Sequence, residues 1–366
     1  MKILYGVQGT GNGHVSRANA MFEAFKAHPE LDVTWLLSGR PRAQGCGVIP
    51  DFLWRRGLSF VPGNGGIRKF ATLRQNNVPR FLYDVHELDL APYDLVVSDY
   101  EPVVSHAARR WGLPVIGIGH LYAFQYPVPM RGGNPFATAI LRNFAPATVN
   151  VGLHWHHFDA PLLPPILDLH KPDETQAVFD NKAHGNVVRN KVLVYLPWEN
   201  AEEVLAMLAP LRDYDFYIYH PQFSDADTGH LHKRALSRTG FKQDLFTAHS
   251  VLANCGFESI SECLHLGKRV LTKPLRGQME QHSNAAALEL LGYAETATQL
   301  DTHRVKRWLA DDTPAVRVEF PDVARELAAW IARGRLPSLH TLSARLWSAT
   351  RVIQAPTPGC HPAVAF

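Results

Sequence analysis

A histidine that follows a glycine-rich turn is the first residue in this chain whose position suggests chemistry. The turn, Q-G-T-G-N-G at 8–13, places His14 at the start of a helix predicted for 15–27. The positive end of a helix dipole disfavours imidazolium and keeps such a ring neutral and basic. Asp99 follows an apolar run at 93–98, so both side chains are expected at the carboxyl edge of one parallel sheet. The pattern predicts His14 as a general base whose ring Asp99 orients, with a capping or packing histidine as the alternative.

A second group of polar residues surrounds a turn in the second half of the chain. An apolar run at 251–253 ends in N-C-G, and a helix is predicted to begin near Phe257. Ser259 lies in the first turn of that helix and Glu262 about one turn later, so both can face one crevice. A helix N-terminus binds phosphate, and a carboxylate accepts the two hydrogen bonds of a ribose diol.

The next predicted helix begins with another polar pair, Glu280 and Gln281, which suits the hydroxyls of a sugar. Taken singly, Ser259 could be a helix cap, and Glu262 or Glu280 a solvated surface residue. Together, and in this order along the chain, these residues predict a nucleotide-sugar site.

The stretch 251–285 resembles the donor-binding signature of glycosyltransferases with the two-domain GT-B fold. It is similar to the plant natural-product glycosyltransferases and to the bacterial N-acetylglucosaminyltransferase of peptidoglycan lipid synthesis. The matching positions are Asn254-Cys255-Gly256-Phe257-Glu258-Ser259, Glu262, Gly267, Pro274, Glu280-Gln281 and Asn284-Ala285. The sequence departs from the signature in three ways. Asn254 stands where the plant enzymes have a phosphate-binding histidine, Glu258 replaces an asparagine, and the loop from Pro274 to Glu280 is two residues longer. The glycine-rich turn before His14 also matches the family's first loop.

The resemblance implies an α/β protein in which two Rossmann-like domains face each other across a cleft. It also implies transfer of a sugar from a nucleotide-sugar donor, UDP-linked, to an acceptor hydroxyl, with inversion and without a metal. His14 and Asp99 are the expected catalytic residues. The expected donor-binding residues are Gly11, Gly13, Phe241, Asn254, Gly256, Ser259, Glu262, Glu280 and Gln281. For Phe241, the family suggests stacking on the nucleobase, and a place in the core is the alternative.

Two other functions remain compatible with these residues: a nucleotide-sugar 2-epimerase of the same fold, and a non-catalytic protein that binds sugar nucleotides. No cofactor is expected, since the nucleotide sugar is a substrate and helix N-termini can neutralise its diphosphate. His154, His156 and His157 invite a metal, but H-W-H-H lacks the ligand spacing of a helix or finger site.

The elements that must position these residues alternate between strand and helix in both halves of the chain. Further strands are predicted at 2–7, 32–37, 114–118, 191–196, 215–219 and 269–272, and further helices at 199–211, 304–310, 323–332 and 342–349. In the family fold a late helix crosses back to the first domain. The predicted organisation is an acceptor-side domain at 1–165, a linker at 166–190, a donor domain at 191–350 and a loose tail at 351–366.

Composition narrows the classes of protein to which the chain can belong. Its 366 residues suffice for two domains, and a net charge of +3 is too small to suggest nucleic acid as a partner. The four cysteines are unevenly spaced and include no C-x-x-C pair. This pattern is typical of a protein in a reducing cytosol. No apolar run approaches the length of a transmembrane helix. We therefore expect a cytoplasmic protein, at most peripheral at the inner face of the membrane.

Basic and aromatic residues in the first domain suggest where an acceptor could bind. They are Trp54, Arg55, Arg56, Arg68, Lys69, Phe70, Arg74, Arg80, Phe81 and Leu82. If they lie together, they suit an anionic acceptor that is lipid-linked or membrane-held. The alternative is that they are dispersed on amphipathic helices and only solvate the protein.

Overall fold

A computed structural model describes residues 1–59, 62–63, 66–67, 74, 76–133, 135–169, 187–334 and 338–354. Residues 170–186 of the predicted linker and 355–366 of the predicted tail lie outside the described residues, as do Arg68, Lys69 and Phe70 of the basic group.

The first half of the chain forms a parallel sheet of six strands in the order β3-β2-β1-β6-β7-β8, and a separate two-stranded hairpin. The strands are β1 (Lys2–Gln8), β2 (Asp32–Ser38), β3 (Leu53–Trp54), β4 (Pro62–Gly63), β5 (Gly66–Ile67), β6 (Leu95–Asp99), β7 (Val115–Gly119) and β8 (Val149–Gly152). The helices are α1 (Gly13–Phe25), α2 (Val78–Glu87), α3 (Pro102–Trp111) and α4 (Pro135–Phe144), with short 3-10 helices at Arg42–Gln44 and His120–Gln125. The central strands are continuous apolar runs because helices cover both faces of a parallel sheet.

The second half repeats this architecture with seven strands in the order β11-β12-β10-β9-β13-β14-β15, of which only β11 is antiparallel to its neighbour among the described residues. The strands are β9 (Val188–Tyr195), β10 (Asp215–Tyr219), β11 (Ala226–Thr228), β12 (Leu231–Arg234), β13 (Ala248–Asn254), β14 (Arg269–Lys273) and β15 (Glu295–Thr296), and an antiparallel pair is formed by β16 (Arg317–Glu319) and β17 (Arg351–Gln354). The helices are α5 (Ala201–Leu208), α6 (Arg238–Thr247), α7 (Phe257–His265), α8 (Met279–Leu291), α9 (Thr302–Ala310), α10 (Val323–Ala332) and α11 (Leu339–Ala349). The predicted α/β class with two parallel-sheet domains is confirmed.

The segments predicted as linker and tail are partly built into the fold. Ile166, Leu167 and Leu169 are buried in the apolar core, and β9 already begins at Val188. The first four residues of the predicted tail form β17 and pair with β16. The apolar side chains of these segments pack against the core because burial removes them from water. The prolines and charged residues beside them in the sequence do not indicate this burial.

The last helices return to the first domain, as the family resemblance suggested. Helix α10 packs against α1, and both contribute to one apolar cluster that extends through the two domains. In α11 the Ser343 hydroxyl and the Trp347 indole N–H both donate to the Leu162 carbonyl oxygen, at 2.6 and 2.8 Å. Among the described residues, no helix combines the length and apolar character needed to cross a bilayer.

Candidate active site

A cavity of about 920 Å³ lies between the two domains, where the carboxyl ends of both sheets meet. One wall is the glycine-rich turn with the start of α1, and the opposite wall is formed by α6 and the N-termini of α7 and α8. Of the residues predicted from the sequence, the following line it: Gly11, Gly13, His14, Phe241, Gly256, Ser259, Glu262, Glu280 and Gln281. Asp99 and Asn254 are not among the residues that line it.

His14 and Asp99 are in direct contact. A hydrogen bond of 2.7 Å joins His14 Nδ1 to Asp99 Oδ1. The His14 side chain keeps 17% of its surface exposed to the cavity, whereas Asp99, at the end of β6, is fully buried. The Arg17 Nη2 also lies 2.9 Å from His14 Nδ1. In the tautomer that donates Nδ1–H to the Asp99 carboxylate, Nε2 is the ring nitrogen left for proton transfer. This is the orientation that a histidine base with a carboxylate partner requires.

Arg17 is one of the residues of this site that sequence reasoning missed. Its Nε donates to Asp99 Oδ2 at 2.7 Å and its Nη2 contacts Oδ1, so the guanidinium contacts both oxygens of the buried carboxylate. Burial alone would raise the pKa of Asp99, but the Arg17 charge and the His14 hydrogen bond lower it below its usual value. Asp99 is therefore ionised in its contact with His14. A signal was present in the spacing, because Arg17 lies three positions after His14, on the same face of α1.

Glu258, at the position where the family has asparagine, is the other partner of Arg17. Arg17 Nη1 contacts Glu258 Oε1, so one guanidinium joins the α1 wall of the cavity to the first turn of α7 in the other domain. Gly13 faces the same carboxylate: a Cβ there would lie 2.4 Å from Glu258 Oε2. A side chain at position 13 would therefore displace the Glu258 carboxylate from its place beside Arg17.

Glu280 is an acid that opens into the cavity close to His14. Burial, reinforced by the negative charge of Glu258, raises the pKa of Glu280 to about 7. Near neutral pH this carboxyl can therefore donate or accept a proton, which a surface glutamate cannot do.

Glu262 lines the cavity but is already engaged. Its Oε1 accepts from the buried Lys242 ammonium, and burial raises the pKa of Glu262 although Lys242 opposes the shift. Arg238 stands beside this pair and donates to Asp168 at 2.6 Å. A ribose at this position would share the Glu262 carboxylate with Lys242.

Two of the predicted donor residues hold the turn before α7. The Gln281 Oε1 accepts from the Cys255 and Leu275 backbone N–H groups, at 3.2 and 2.9 Å. The Asn254 amide donates to Glu199 and to the Lys273 carbonyl oxygen, both at 3.2 Å. Gln281 therefore holds the turn that precedes α7, and Asn254 links the end of β13 to β14.

The N-terminus of α7 itself faces the cavity. Gly256 is the N-cap and has no side-chain cap, and the Ser259 hydroxyl makes only a 3.4 Å contact with the Gly256 carbonyl oxygen. Backbone N–H groups and the Ser259 hydroxyl are thus left to bind an anion.

Aromatic residues cover the end of the cavity near β9 and β10. Phe241 packs against Tyr195 and Tyr219, with ring centroids 5.1 and 5.5 Å apart, and it lines the cavity at the same time. Trp198 also lines the cavity, and no sequence pattern identified it. Phe241 therefore packs against the apolar cluster and also reaches the cavity. Its stacking on a nucleobase stays a prediction.

The groups most suggestive of metal binding lie elsewhere. His154 and His156 are buried, and each ring accepts a backbone N–H at 2.9 Å, from Trp155 and Phe158 respectively. Two Asp-x-Asp pairs occur, Asp213/Asp215 and Asp225/Asp227, and neither lines the cavity. Among the described residues, no group of three or more His, Cys, Asp or Glu side chains is arranged to hold a metal ion.

The basic and aromatic group of the first domain is spread over different environments. Arg80 pairs with Asp84 at 3.0 Å, Phe81 is buried in the core, and Leu82 is exposed. The Trp54 indole donates to the Arg40 carbonyl oxygen. Within the part of the chain that the structure describes, none of the group lines the cavity.

Several solved glycosyltransferases share this fold. SnogD from Streptomyces nogalater is 16% identical, covers 95% of this chain and 99% of its own, and superposes with a TM-score of 0.51. The spinosyn rhamnosyltransferase SpnG is 15% identical, with 95% and 100% coverage and a TM-score of 0.55. UGT89C1 from Arabidopsis thaliana, solved in complex with UDP, is 14% identical, with 95% and 98% coverage and a TM-score of 0.53. No curated protein matches the sequence.

Two parallel-sheet domains with a cavity at their facing carboxyl edges define the class of the molecule, a protein with the GT-B fold. A family model, glycosyl transferase family 1, matches residues 1–312. The chain belongs to this family and is a glycosyltransferase.

Proposed function

We propose that this glycosyltransferase moves a sugar from a UDP-linked donor to an acceptor hydroxyl, with inversion at the anomeric carbon and without a metal ion. The observation that carries the proposal is the His14–Asp99 pair, which opens into the cavity opposite the uncapped N-terminus of α7. The UDP complex of the similar fold UGT89C1 adds support for the choice of nucleotide.

In the proposed reaction His14 Nε2 removes the acceptor hydroxyl proton while the acceptor oxygen attacks the anomeric carbon. The bond from that carbon to the diphosphate oxygen breaks, and the electron pair leaves with UDP. Asp99 stabilises the imidazolium that forms, and Arg17 keeps Asp99 ionised. The product oxygen lies on the face opposite the departing diphosphate, which inverts the configuration.

The departing charge is assigned to the α7 N-terminus. Backbone N–H groups near Gly256 and the Ser259 hydroxyl can donate to the diphosphate, and the helix dipole favours negative charge there. We expect activity to survive EDTA on this basis. Loss of activity that Mg²⁺ or Mn²⁺ restores would contradict the metal-independent mechanism.

Binding of nucleotides tests the proposal without knowledge of the acceptor. UDP at a hundred times its dissociation constant should raise the free energy of unfolding by about 2.7 kcal/mol. A thermal-shift screen of UDP, GDP, dTDP and their sugars would detect this, with UDP compounds giving the largest shift. If no nucleotide stabilises the protein, the proposal is wrong.

A second function, 2-epimerisation of a nucleotide sugar, is favoured by one observation. Glu280, whose pKa burial raises to about 7, and Glu258 place two acids at the sugar end of the cavity. An epimerase acts with such acids and needs no acceptor. Incubation with UDP-N-acetylglucosamine alone, followed by chromatography of the nucleotide sugars, separates the two functions: an epimerised donor supports the second, and an unchanged or hydrolysed donor supports the first.

The described members of the basic and aromatic group are dispersed and do not line the cavity, so they support no binding site for an acceptor. We propose instead that the basic residues of the first domain attract it to an anionic membrane that holds a lipid-linked acceptor. Each basic side chain near an anionic surface contributes about 1 kcal/mol, so four or five produce reversible, salt-sensitive association. The protein should float with anionic but not neutral vesicles, and replacing Arg55, Arg56, Arg68 and Lys69 with Ser should abolish this. A wild-type protein that stays in solution at low salt would favour a soluble acceptor.

A further inference from the structure

Three arginine and lysine side chains line the cavity: Arg40, Arg238 and Lys242. Arg238 pairs with Asp168, and Lys242 pairs with Glu262. Arg40, on the loop after β2, makes no ion pair with any carboxylate of the described residues. It is thus the cavity cation whose charge the rest of the described chain leaves uncompensated.

The Arg40 guanidinium is held only by neutral groups. Its Nε donates to the Gly45 carbonyl oxygen at 3.1 Å, and its Nη2 donates to the same oxygen and to the Gln44 carbonyl oxygen. Its Nη1 lies 3.5 Å from Asn12 Oδ1, which is at the limit of a hydrogen bond. Nη1 is therefore the part of the guanidinium with donor capacity to spare.

The position of Arg40 is built into the wall. A Cβ on Gly9 would lie 2.5 Å from Arg40 Cγ and 2.6 Å from the Ser38 carbonyl oxygen, so the glycine makes room for the arginine stem. The Trp54 indole N–H fixes the Arg40 backbone through a 2.8 Å bond to its carbonyl oxygen. The side chain is half-buried, and burial lowers the pKa of Arg40.

A partly desolvated cation without a counter-ion is costly, and such a group is retained where a ligand supplies the missing charge. We propose that Arg40 binds an anionic substrate group, a phosphate or a carboxylate, inside the cavity. This inference rests on the proposed function. The anion has two possible sources, which are the diphosphate of the donor and an acidic group on the acceptor. Arg40 stands on the acceptor-side domain, beside the glycine-rich turn that faces the donor wall, so both sources are within the same cavity.

The test compares wild type with Arg40→Gln, and with Arg345→Gln as a matched control whose arginine pairs with Glu326 on the surface. Calorimetry first measures UDP binding. Inorganic phosphate is then titrated into protein saturated with UDP, where it reports an anion site that the donor does not fill. Arg40→Lys is measured in parallel, because retention of binding there shows that a cation, and not the fold of the loop, is what matters.

If the anion belongs to the donor, Arg40→Gln should weaken UDP binding about 10- to 100-fold, the effect of losing a charged hydrogen bond. If it belongs to the acceptor, UDP should bind equally to both proteins, and phosphate should bind the UDP-loaded wild type but not the UDP-loaded variant. Equal UDP affinity together with equal phosphate binding would overturn the inference. Failure of UDP to bind even the wild type would instead contradict the proposed function.

Discussion

At the scale of single residues, the positions of His14 and Arg17 both depend on the buried Asp99 carboxylate, which contacts each of them. Asp99 orients His14 through one oxygen and receives Arg17 through both. An isolated buried carboxylate would be unfavourable, and Arg17 supplies the charge that keeps it ionised. The His14 side chain, by contrast, is partly exposed to the cavity.

Replacing His14 with Ala should lower turnover by about 10²–10⁴ while UDP affinity changes little, because the base acts on the acceptor. Steady-state kinetics and calorimetry measure the two effects separately. Asp99→Asn is the informative companion: it should reduce turnover less than His14→Ala but also lower the melting temperature, since Arg17 loses one of its two carboxylate partners. A His14→Ala enzyme with normal turnover would make His14 a structural residue.

Glu262→Ala should weaken UDP binding about ten- to a hundredfold if the carboxylate holds the ribose, from the loss of charged hydrogen bonds of about 1.5–3 kcal/mol. The same change strands the buried Lys242 and should destabilise the fold. The double variant Glu262→Gln with Lys242→Met removes both charges and separates the effects. Calorimetry in which the double variant binds UDP as tightly as wild type would remove Glu262 from the ribose site.

Stability should depend on pH through Glu280, whose pKa is raised to about 7 from an unfolded value near 4.5. A raised acid pKa favours folding while the group is protonated, so this contribution is complete below about pH 4.5 and is lost as the pH rises through 7. Glu280→Gln should remove about 1–2 kcal/mol of this pH dependence. Chemical denaturation at pH 5 and pH 8 measures it, with the exposed Glu87→Gln as control. An unchanged pH dependence would show that Glu280 titrates normally.

At the scale of elements, α1 and α7 contact each other beside the cavity, and both line it. Helix α1 contributes His14 and Arg17 from one face, and α7 contributes Glu258 and Ser259 from its first turn. Arg17 contacts Asp99, which binds His14, and it also contacts Glu258 of α7. The orientation of His14 is therefore linked to the position of α7.

Arg17→Gln should destabilise the protein by about 3–5 kcal/mol, because it leaves the buried Asp99 charge without its cationic partner. Glu258→Gln should cost much less, since Glu258 is 18% exposed and water can compensate. Urea denaturation of both variants tests this order. Equal destabilisation would mean that the contact between the domains, and not the support of Asp99, is the main contribution of Arg17.

At the scale of the whole molecule, the two domains share one apolar cluster and several direct hydrogen bonds. The Trp155 indole donates to Ser261 at 2.8 Å, and His120 bonds to Asn284 at 2.6 Å while its ring stacks on Phe257. These contacts are buried and join residues from both halves of the chain. The cavity is therefore fixed by the packing of two domains and not by either one alone.

Helix α11 should matter for the stability of the first domain although it lies at the far end of the chain. Replacing Ser343 with Ala and Trp347 with Phe leaves the Leu162 carbonyl oxygen without its two side-chain donors, which should cost about 1–3 kcal/mol. Hydrogen exchange would show the loss around β8. A double variant that loses protection only within α11 would contradict a role in holding the domains together.

The sequence by itself determined the architecture and identified nine of the residues that line the cavity. Strand and helix periodicity predicted the alternating elements, including 215–219 and 323–332 with the bounds that the structure gives them. The turn before His14 and the signature around Ser259 identified the two walls. These features are local: glycine turns, apolar runs and helix starts are written within about ten residues of chain.

Only the tertiary structure decided how the charges are paired. Arg17 and Glu258 are 241 positions apart, so nothing in the sequence near either residue reveals the other. Three further features depend on which surfaces meet when the domains pack. They are the pairing of Glu262 with Lys242, the absence of Asn254 from the cavity lining and the uncompensated charge of Arg40. Whether a charged side chain is a surface residue, a structural partner or a ligand group is set by its burial and its neighbours, and packing alone fixes both.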